Sequence, residues 1–253
     1  MGDVDNDGLQ DIYLTANFGP NKLYKNKGNF EFEDITVASK TEDYQGFATG
    51  ATMLDINNDG WLDVFAAGLK MQNGPPGAKF TSLLYKNVTI DASHWLKLKL
   101  EGSQYTLPNE GWSVMSNRSA IGARVVLHLA DQDIMREIIG GKGHGNMEPL
   151  QLHFGMNSHI LAQGMTIYWP SRNPETNQRK VTFIDGPIDA DLSYTFVEDI
   201  GFVGLKGDIN DDGVVNVQDV IISVNHALNE AIPDPVIFWA ADMNYDNILN
   251  ILD

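Results

Sequence analysis

The sequence predicts a mainly β chain that ends in a small α-helical module. Three observations predict it. An Asp-rich segment followed by an apolar, strand-like run occurs twice within residues 1–90. Period-two apolar runs punctuated by Gly and Asn fill residues 94–198. After residue 207 comes a twelve-residue Asp/Asn loop, then a helix-like apolar run, then a near copy of the loop.

Composition excludes several function classes. With 253 residues the chain has room for one large domain or two to three small ones, each with its own core. A formal charge of −17 argues against nucleic-acid binding, because phosphate contacts need clustered Lys and Arg. The absence of cysteine removes disulfides, thiolate metal sites and thiol nucleophiles, and calcium can restrain loops in their place. No apolar run reaches the roughly 18 residues that span a membrane as a helix. The first residues, Met1 to Asp5, are acidic and unlike a secretory leader. Because the chain starts inside a repeat and stops at position twelve of a loop, it reads as a fragment whose leader lies further upstream.

The first segment (1–90) holds the repeat. Asp3-Val4-Asp5-Asn6-Asp7-Gly8-Leu9-Gln10-Asp11 (loop 1) recurs as Asp55-Ile56-Asn57-Asn58-Asp59-Gly60-Trp61-Leu62-Asp63 (loop 2), 52 residues on (55 − 3). Each copy leads into a strand-like run, Ile12-Tyr13-Leu14 and Val64-Phe65-Ala66-Ala67. Each then reaches a shared element, Lys22-Leu23-Tyr24-Lys25-Asn26 and Leu83-Leu84-Tyr85-Lys86-Asn87. The offset is about that of one four-stranded propeller blade. In the second segment (94–198), Trp95-Leu96-Lys97-Leu98-Lys99-Leu100 alternates as a half-buried strand should, and Ala123–Leu129 and Met165–Trp169 read as further strands. Gly201–Gly207 reads as a linker. In the last segment (207–253), Asp208–Asp219 (loop 3) precedes a helix-like run, Val220–Leu228, and Asp242–Asp253 (loop 4) ends the chain, with Pro233 and Pro235 in the connector.

The loops carry the chemistry. Calcium takes six to eight oxygen ligands, and a tightly turned loop can aim alternate residues inward around a Gly at position six. Loop 1 offers Asp3, Asp5, Asp7 and Asp11 with the Leu9 carbonyl; loop 2 offers Asp55, Asn57, Asp59 and Asp63 with the Trp61 carbonyl. Their closing acid at position nine makes them shorter than an EF-hand loop. Loop 3 keeps the twelve-residue length, with Asp208, Asn210, Asp212, Asn216 and Asp219 and the Val214 carbonyl. Loop 4 places Asp242, Asn244, Asp246, Asn250 and Asp253 in the same positions, with the Ile248 carbonyl, and Asn247 replaces the turn Gly. Asp, Asn and Gly also populate plain solvated turns, but two matched pairs with flanking apolar runs favour calcium.

These motifs resemble known families. The first 90 residues are similar to FG-GAP/VCBS repeats, the calcium-loop blades of integrin-α-like propellers. The middle resembles the ASPIC/UnbV domain through Ser116–Val125, Gly140–Gly145, Leu150–Gly155 and Ile167–Ser171. That domain order is the one of the cartilage acidic protein family and its bacterial relatives. Residues 207–253 resemble a type I dockerin, with Val217-Gln218 and Ile251-Leu252 where many dockerins carry a small hydroxyl pair. The resemblance implies partial propeller blades, a β-rich ASPIC/UnbV domain and a calcium-folded tail. It also implies Ca²⁺ as cofactor, an extracellular or cell-surface location, and a non-catalytic adhesion or assembly role. The partner implied is a cohesin-type scaffold or a cell-surface protein.

The competing reading is a component of a polysaccharide-degrading complex, as a glycoside hydrolase subunit or a carbohydrate-binding partner. A glycosidase needs two carboxylates facing each other across a cleft, and most clustered acids here stand in the loops. Glu101, Glu110, Glu137 and Glu148 read as isolated surface residues. His144 reads as a turn residue and His153 as an outward strand position. Arg118 and Arg124 read as salt-bridge partners rather than an anion site. Trp95, Trp112, Trp169 and Trp239 are the candidates for a sugar platform, with Trp169 better suited to the core.

Overall fold

A computed structural model describes residues 1–16, 19–42, 48–68, 82–102, 116–143, 146–173, 175–229, 233–245 and 248–250. The described residues are mainly β, with 41% strand and 9% helix, as expected for the class. It divides into two units, one of Met1–Lys97, Gly122–Ile167 and Thr182–Leu192, the other of Leu98–Ile121, Tyr168–Val181 and Ser193–Asp253.

The first unit opens with two antiparallel meanders. One is β1 (Ile12–Leu14), β2 (Lys22–Asn26) and β3 (Phe32–Asp34); the other is β4 (Ala48–Leu54), β5 (Asp63–Gly68) and β6 (Leu83–Tyr85). They repeat the same register. Loop 2 joins β4 to β5, with Leu54 opposite Asp63, and loop 1 is spanned by the bridge of Gly2 to Asp11, again 52 residues away (54 − 2). Each described sheet has three strands, one fewer than a full blade. Val4, Tyr13, Leu23, Met53, Leu62, Val64 and Ala66 form their shared core, each large side chain contributing about 1.5–3 kcal/mol by leaving water.

The remaining strands are β7 (His94–Glu101), β8 (Arg124–His128), β9 (Asp133–Glu137), β10 (Gln151–Asn157), β11 (Leu161–Arg172), β12 (Arg179–Asp189), β13 (Leu192–Val197) and β14 (Gly201–Val203). They form two four-stranded sheets in the orders β10-β7-β13-β14 and β12-β11-β8-β9. Strand β7 departs from simple alternation. Leu96, Leu98 and Leu100 are buried as expected, but so is Lys97, whereas Lys99 is exposed. The reason for the buried lysine lies in loop 2, below.

The second unit corrects two expectations. Gly201–Gly207 is not simply a linker, because β14 pairs with β13 (Thr195 opposite Val203, Phe196 opposite Phe202). The connector between loops 3 and 4 contains a helix, α2 (Pro235–Ala241), besides the expected helix α1 (Val217–Asn229). Asp234 caps α2 by accepting the Val236 N–H at 2.9 Å, and Pro235 stands in its first turn, where its missing N–H is harmless. Val197 of β13 shares a core with Ile209, Trp239, Ala240 and Ala241 of the tail.

Candidate metal-binding loops

Loops 1, 2 and 3 fold into the same turn. In each, the first aspartate accepts the backbone N–H groups of positions five and six, and position five accepts the N–H of position seven. The distances are 3.1, 2.8 and 2.9 Å for Asp3, Asp7, Gly8 and Leu9, and 3.1, 2.8 and 3.0 Å for Asp55, Asp59, Gly60 and Trp61. Asp208, Asp212, Gly213 and Val214 repeat them at 3.1, 2.8 and 2.9 Å. Position four is left-handed in each loop (Asn6, Asn58 and Asp211), a backbone that Asn and Asp tolerate, and the position-six Gly follows at a φ of 83–93°. Tyr245, at position four of loop 4, is left-handed too. Asn216 and Asn250, at position nine of loops 3 and 4, each donate to the carbonyl of position seven, Val214 at 3.1 Å and Ile248 at 3.2 Å. Asp242 is buried and Asn244 exposed; Asp246, Asn247 and Asp253 lie outside the described residues.

The closing acids explain the second shared element of the repeat. Asp11 accepts the N–H of Val4 and of Asn26, and Asp63 accepts those of Ile56 and Asn87. The Asn26 and Asn87 side chains then donate to the Gln10 and Leu62 carbonyls. The Asn that ends each Tyr-Lys-Asn element therefore latches its loop. In loop 3, Asp219 accepts from Ile209, Asn210 and Asn216, and these donors, Asn216 first, hold its carboxyl below the usual range.

Loop 1 has the strongest case for a cation. One carboxylate oxygen from each of Asp3, Asp5 and Asp11 falls within 4.8 Å of the others. Asp5 Oδ1 is buried with no hydrogen-bond partner among the described residues. Burial raises Asp3 to about 7, with Arg136 offsetting only part, and raises Asp11 to about 6. A buried convergence of oxygens that ionise with difficulty is what a hard dication relieves, so these residues fit calcium. Loop 2 is more open, with Asn57 and Asp59 exposed. Burial alone would raise Asp55, but hydrogen bonds from Lys97 and from backbone N–H groups bring it below the usual range.

Four residues of the following strands hold loops 1 and 2, and the sequence reading missed the part each plays. Buried Arg136 on β9 donates to the Gly8 carbonyl at 3.1 Å and to the His153 carbonyl at 3.1 Å, and lies 3.5 Å from Asp3 Oδ2. Lys97 donates to Asp55 Oδ2 at 2.9 Å and to Asn58 Oδ1 at 3.1 Å, which is why a lysine is tolerated inside. His153 does not face outward: its Nε2 meets the Gly60 carbonyl at 3.0 Å, and burial lowers its pKa to about 4, so the ring is a neutral donor. Gly155 leaves room for loop 1, since a Cβ there would run into the Asp3 carboxylate and the Asn6 backbone. Beside it the Asn157 N–H donates to the Asn6 carbonyl at 2.8 Å.

The other candidates resolve as structural groups. Glu101 is buried rather than at the surface, accepting from Lys99 at 2.7 Å and from the Trp239 indole N–H at 3.1 Å. Glu137 pairs with Arg124 at 3.6 Å, and Glu148 with Lys142 and the Met1 amine. Arg118 stacks on the Tyr245 ring at 3.4 Å. Trp169 and Trp239 are buried and offer no face to a sugar, and half-buried Trp95 packs over Gly60. Glu110, Trp112 and His144 lie outside the described residues.

Two known families match parts of the chain. The family described as FG-GAP-like repeat matches residues 3–66, and the family described as ASPIC and UnbV matches residues 113–198. Cartilage acidic protein 1 of Xenopus tropicalis is 33% identical over 64 residues, a stretch that spans 25% of this chain and 10% of that protein. No described helix is long and apolar enough to cross a membrane. The chain is therefore similar to an FG-GAP-like repeat over residues 3–66 and to ASPIC and UnbV over residues 113–198.

Proposed function

We propose that this chain is an extracellular, calcium-stabilised assembly module without catalysis of its own, whose tail docks on a cohesin-type scaffold. The observation that carries the calcium reading is the turn shared by loops 1, 2 and 3, with the buried Asp3, Asp5 and Asp11 oxygens converging in loop 1. Ion binding there contributes to folding directly, because ligands gathered by folding couple the two equilibria. Extracellular calcium saturates loops with dissociation constants of about 10⁻⁴–10⁻³ M, so the sites serve structure rather than sensing.

The docking reading rests on α1. Val217, Val220, Ile221, Val224 and Leu228 recur at helical spacing, yet each is exposed, from 46% to 75%. A helix whose apolar stripe faces water has a stripe to give to a partner. Calorimetric calcium titration of metal-stripped protein tests the first part. Three or four sites, one lost in Asp7→Ala and one in Asp208→Ala, support it, and no uptake at millimolar calcium sinks it. Calcium-dependent capture on immobilised cohesin modules, lost with Val224→Asp, tests the second. Polysaccharide hydrolysis by the purified chain would replace the assembly reading with that of an enzyme subunit.

A further inference from the structure

Loops 1 and 2 differ in charge, and their surroundings differ to match. Loop 1 presents four carboxylates, Asp3, Asp5, Asp7 and Asp11, and two side-chain cations lie on them. Lys25 pairs with Asp5 and lies 3.3 Å from Asp7, while Arg136 lies 3.5 Å from Asp3. Loop 2 presents three carboxylates, since Asn57 stands where Asp5 does, and one cation, Lys97, lies on Asp55 at 2.9 Å. Lys86 holds the place of Lys25 in the second repeat but is exposed and forms no ion pair among the described residues. There the Asn57 amide donates to Asp59 at 2.6 Å instead. Fully ionised, each loop together with its cations carries two negative charges, the complement of one divalent ion.

We infer that Lys25, Arg136 and Lys97 set the calcium affinity of these loops from outside the ligand shell, by holding each at two negative charges. The inference rests on the calcium reading above and adds what tunes it. Lys97 touches Oδ2 of the first aspartate of its loop, and Arg136 approaches the equivalent oxygen in loop 1. That oxygen already accepts the N–H of Gly60 or Gly8, and Oδ1 accepts the N–H of Asp59 or Asp7. The backbone therefore orients the carboxylate, and what the cation adds is charge. It stabilises the metal-free loop and repels the incoming ion. Removing it tightens calcium binding while weakening the metal-free fold, whereas a residue that merely shaped the loop would weaken both. The Coulomb repulsion between a unit and a divalent charge separated by one carboxylate corresponds to about tenfold in affinity even at the dielectric of water.

The test is calcium titration of the full chain by calorimetry, paired with urea unfolding in chelator. Lys25 is 26% exposed and Asn57 is exposed, so Lys25→Met and Asn57→Asp leave the core intact. Backgrounds that carry Asp208→Ala and Asp242→Ala together with Asp59→Ala or Asp7→Ala isolate loop 1 and loop 2 in turn. Lys25→Met should bind calcium about tenfold tighter at loop 1, and Asn57→Asp, a fourth carboxylate with no added cation, should tighten loop 2. Both should be less stable than wild type in chelator. Equal or weaker affinity in these variants, with normal uptake by the wild type, would overturn this inference alone. No uptake by the wild type would overturn it together with the calcium reading.

Discussion

Gly155→Ala tests whether loop 1 is seated on β10. The new Cβ would meet the Asp3 carboxylate and the backbone of Asn6, neither of which is the free end of a flexible side chain. Loop 1 must then lift. Lifting stretches the hydrogen bond from Asn157 N–H to the Asn6 carbonyl and the one from Arg136 to the Gly8 carbonyl, and draws Asp3 away from a buried guanidinium. Overpacking costs about 1–3 kcal/mol, and each of the two hydrogen bonds about 1 kcal/mol. The first unit should lose about 3–5 kcal/mol. Urea unfolding followed by circular dichroism reads this, provided the m-value stays that of wild type. Gly141→Ala is the control, because its nearest neighbour would be 3.8 Å away and its backbone needs no left-handed φ; it should stay within about 0.5 kcal/mol of wild type. Loop 1 should also lose calcium affinity in Gly155→Ala while loop 3 keeps its own. A Gly155→Ala protein as stable as the control, with unchanged calcium uptake, would refute the seating of loop 1 on this strand.

Three further outcomes are expected. Burial raises Asp3 to about 7 from 3.8, so in calcium-free protein the folded state holds a proton that the unfolded chain has released; that contribution is complete below about pH 4 and lost as pH rises through 7. Wild type in chelator should therefore lose stability relative to Asp3→Asn between about pH 4 and 7 in parallel melts. His153 runs the other way: burial lowers it to about 4 from 6.5, so stability from its neutral ring is present above 6.5 and lost as pH falls through 4. Its ring resonances should titrate near pH 4, and a midpoint near 6.5 would mean the ring is not seated on Gly60. Trp239→Phe removes the indole donor to Glu101, and should cost the second unit about 1.5–3 kcal/mol, with helix and strand signals lost in one transition rather than two.

The readable features were those recorded within a few residues of themselves. Asp spacing gave the loops, alternation gave β7 and β8, and the helical period gave α1. The unreadable ones depend on pairing across the fold. Nothing near Arg136 says that it will meet Gly8, or near Lys97 that it will meet Asp55, and a lysine between leucines reads as an outward position until a carboxylate is found to cover it. His153 likewise reads as outward until the Gly60 carbonyl is found against its ring. Strand β14 is three residues long and takes its identity from β13. Helix α2 has its local signal in Asp234-Pro235, a capping residue followed by a proline suited to the first turn, but seven residues between two loops carry no helical period long enough to stand out.

The β13–β14 hairpin bears on how the second unit would carry mechanical load. If α1 is the face a partner grips, tension on the tail does not run out along a slack tether. It reaches Gly201–Val203, which pairs antiparallel with β13, and Val197, which shares a core with Ile209 and Trp239. A hairpin pulled from its free end opens one pair at a time, beginning with Val203 from Thr195, so the hydrogen bonds alone would yield at low force. The shared core must be sheared before that unzipping can start. Resistance to pulling in this unit therefore rests on a few buried side chains, Trp239 foremost, and any ion that stiffens loop 3 raises the force at which they part.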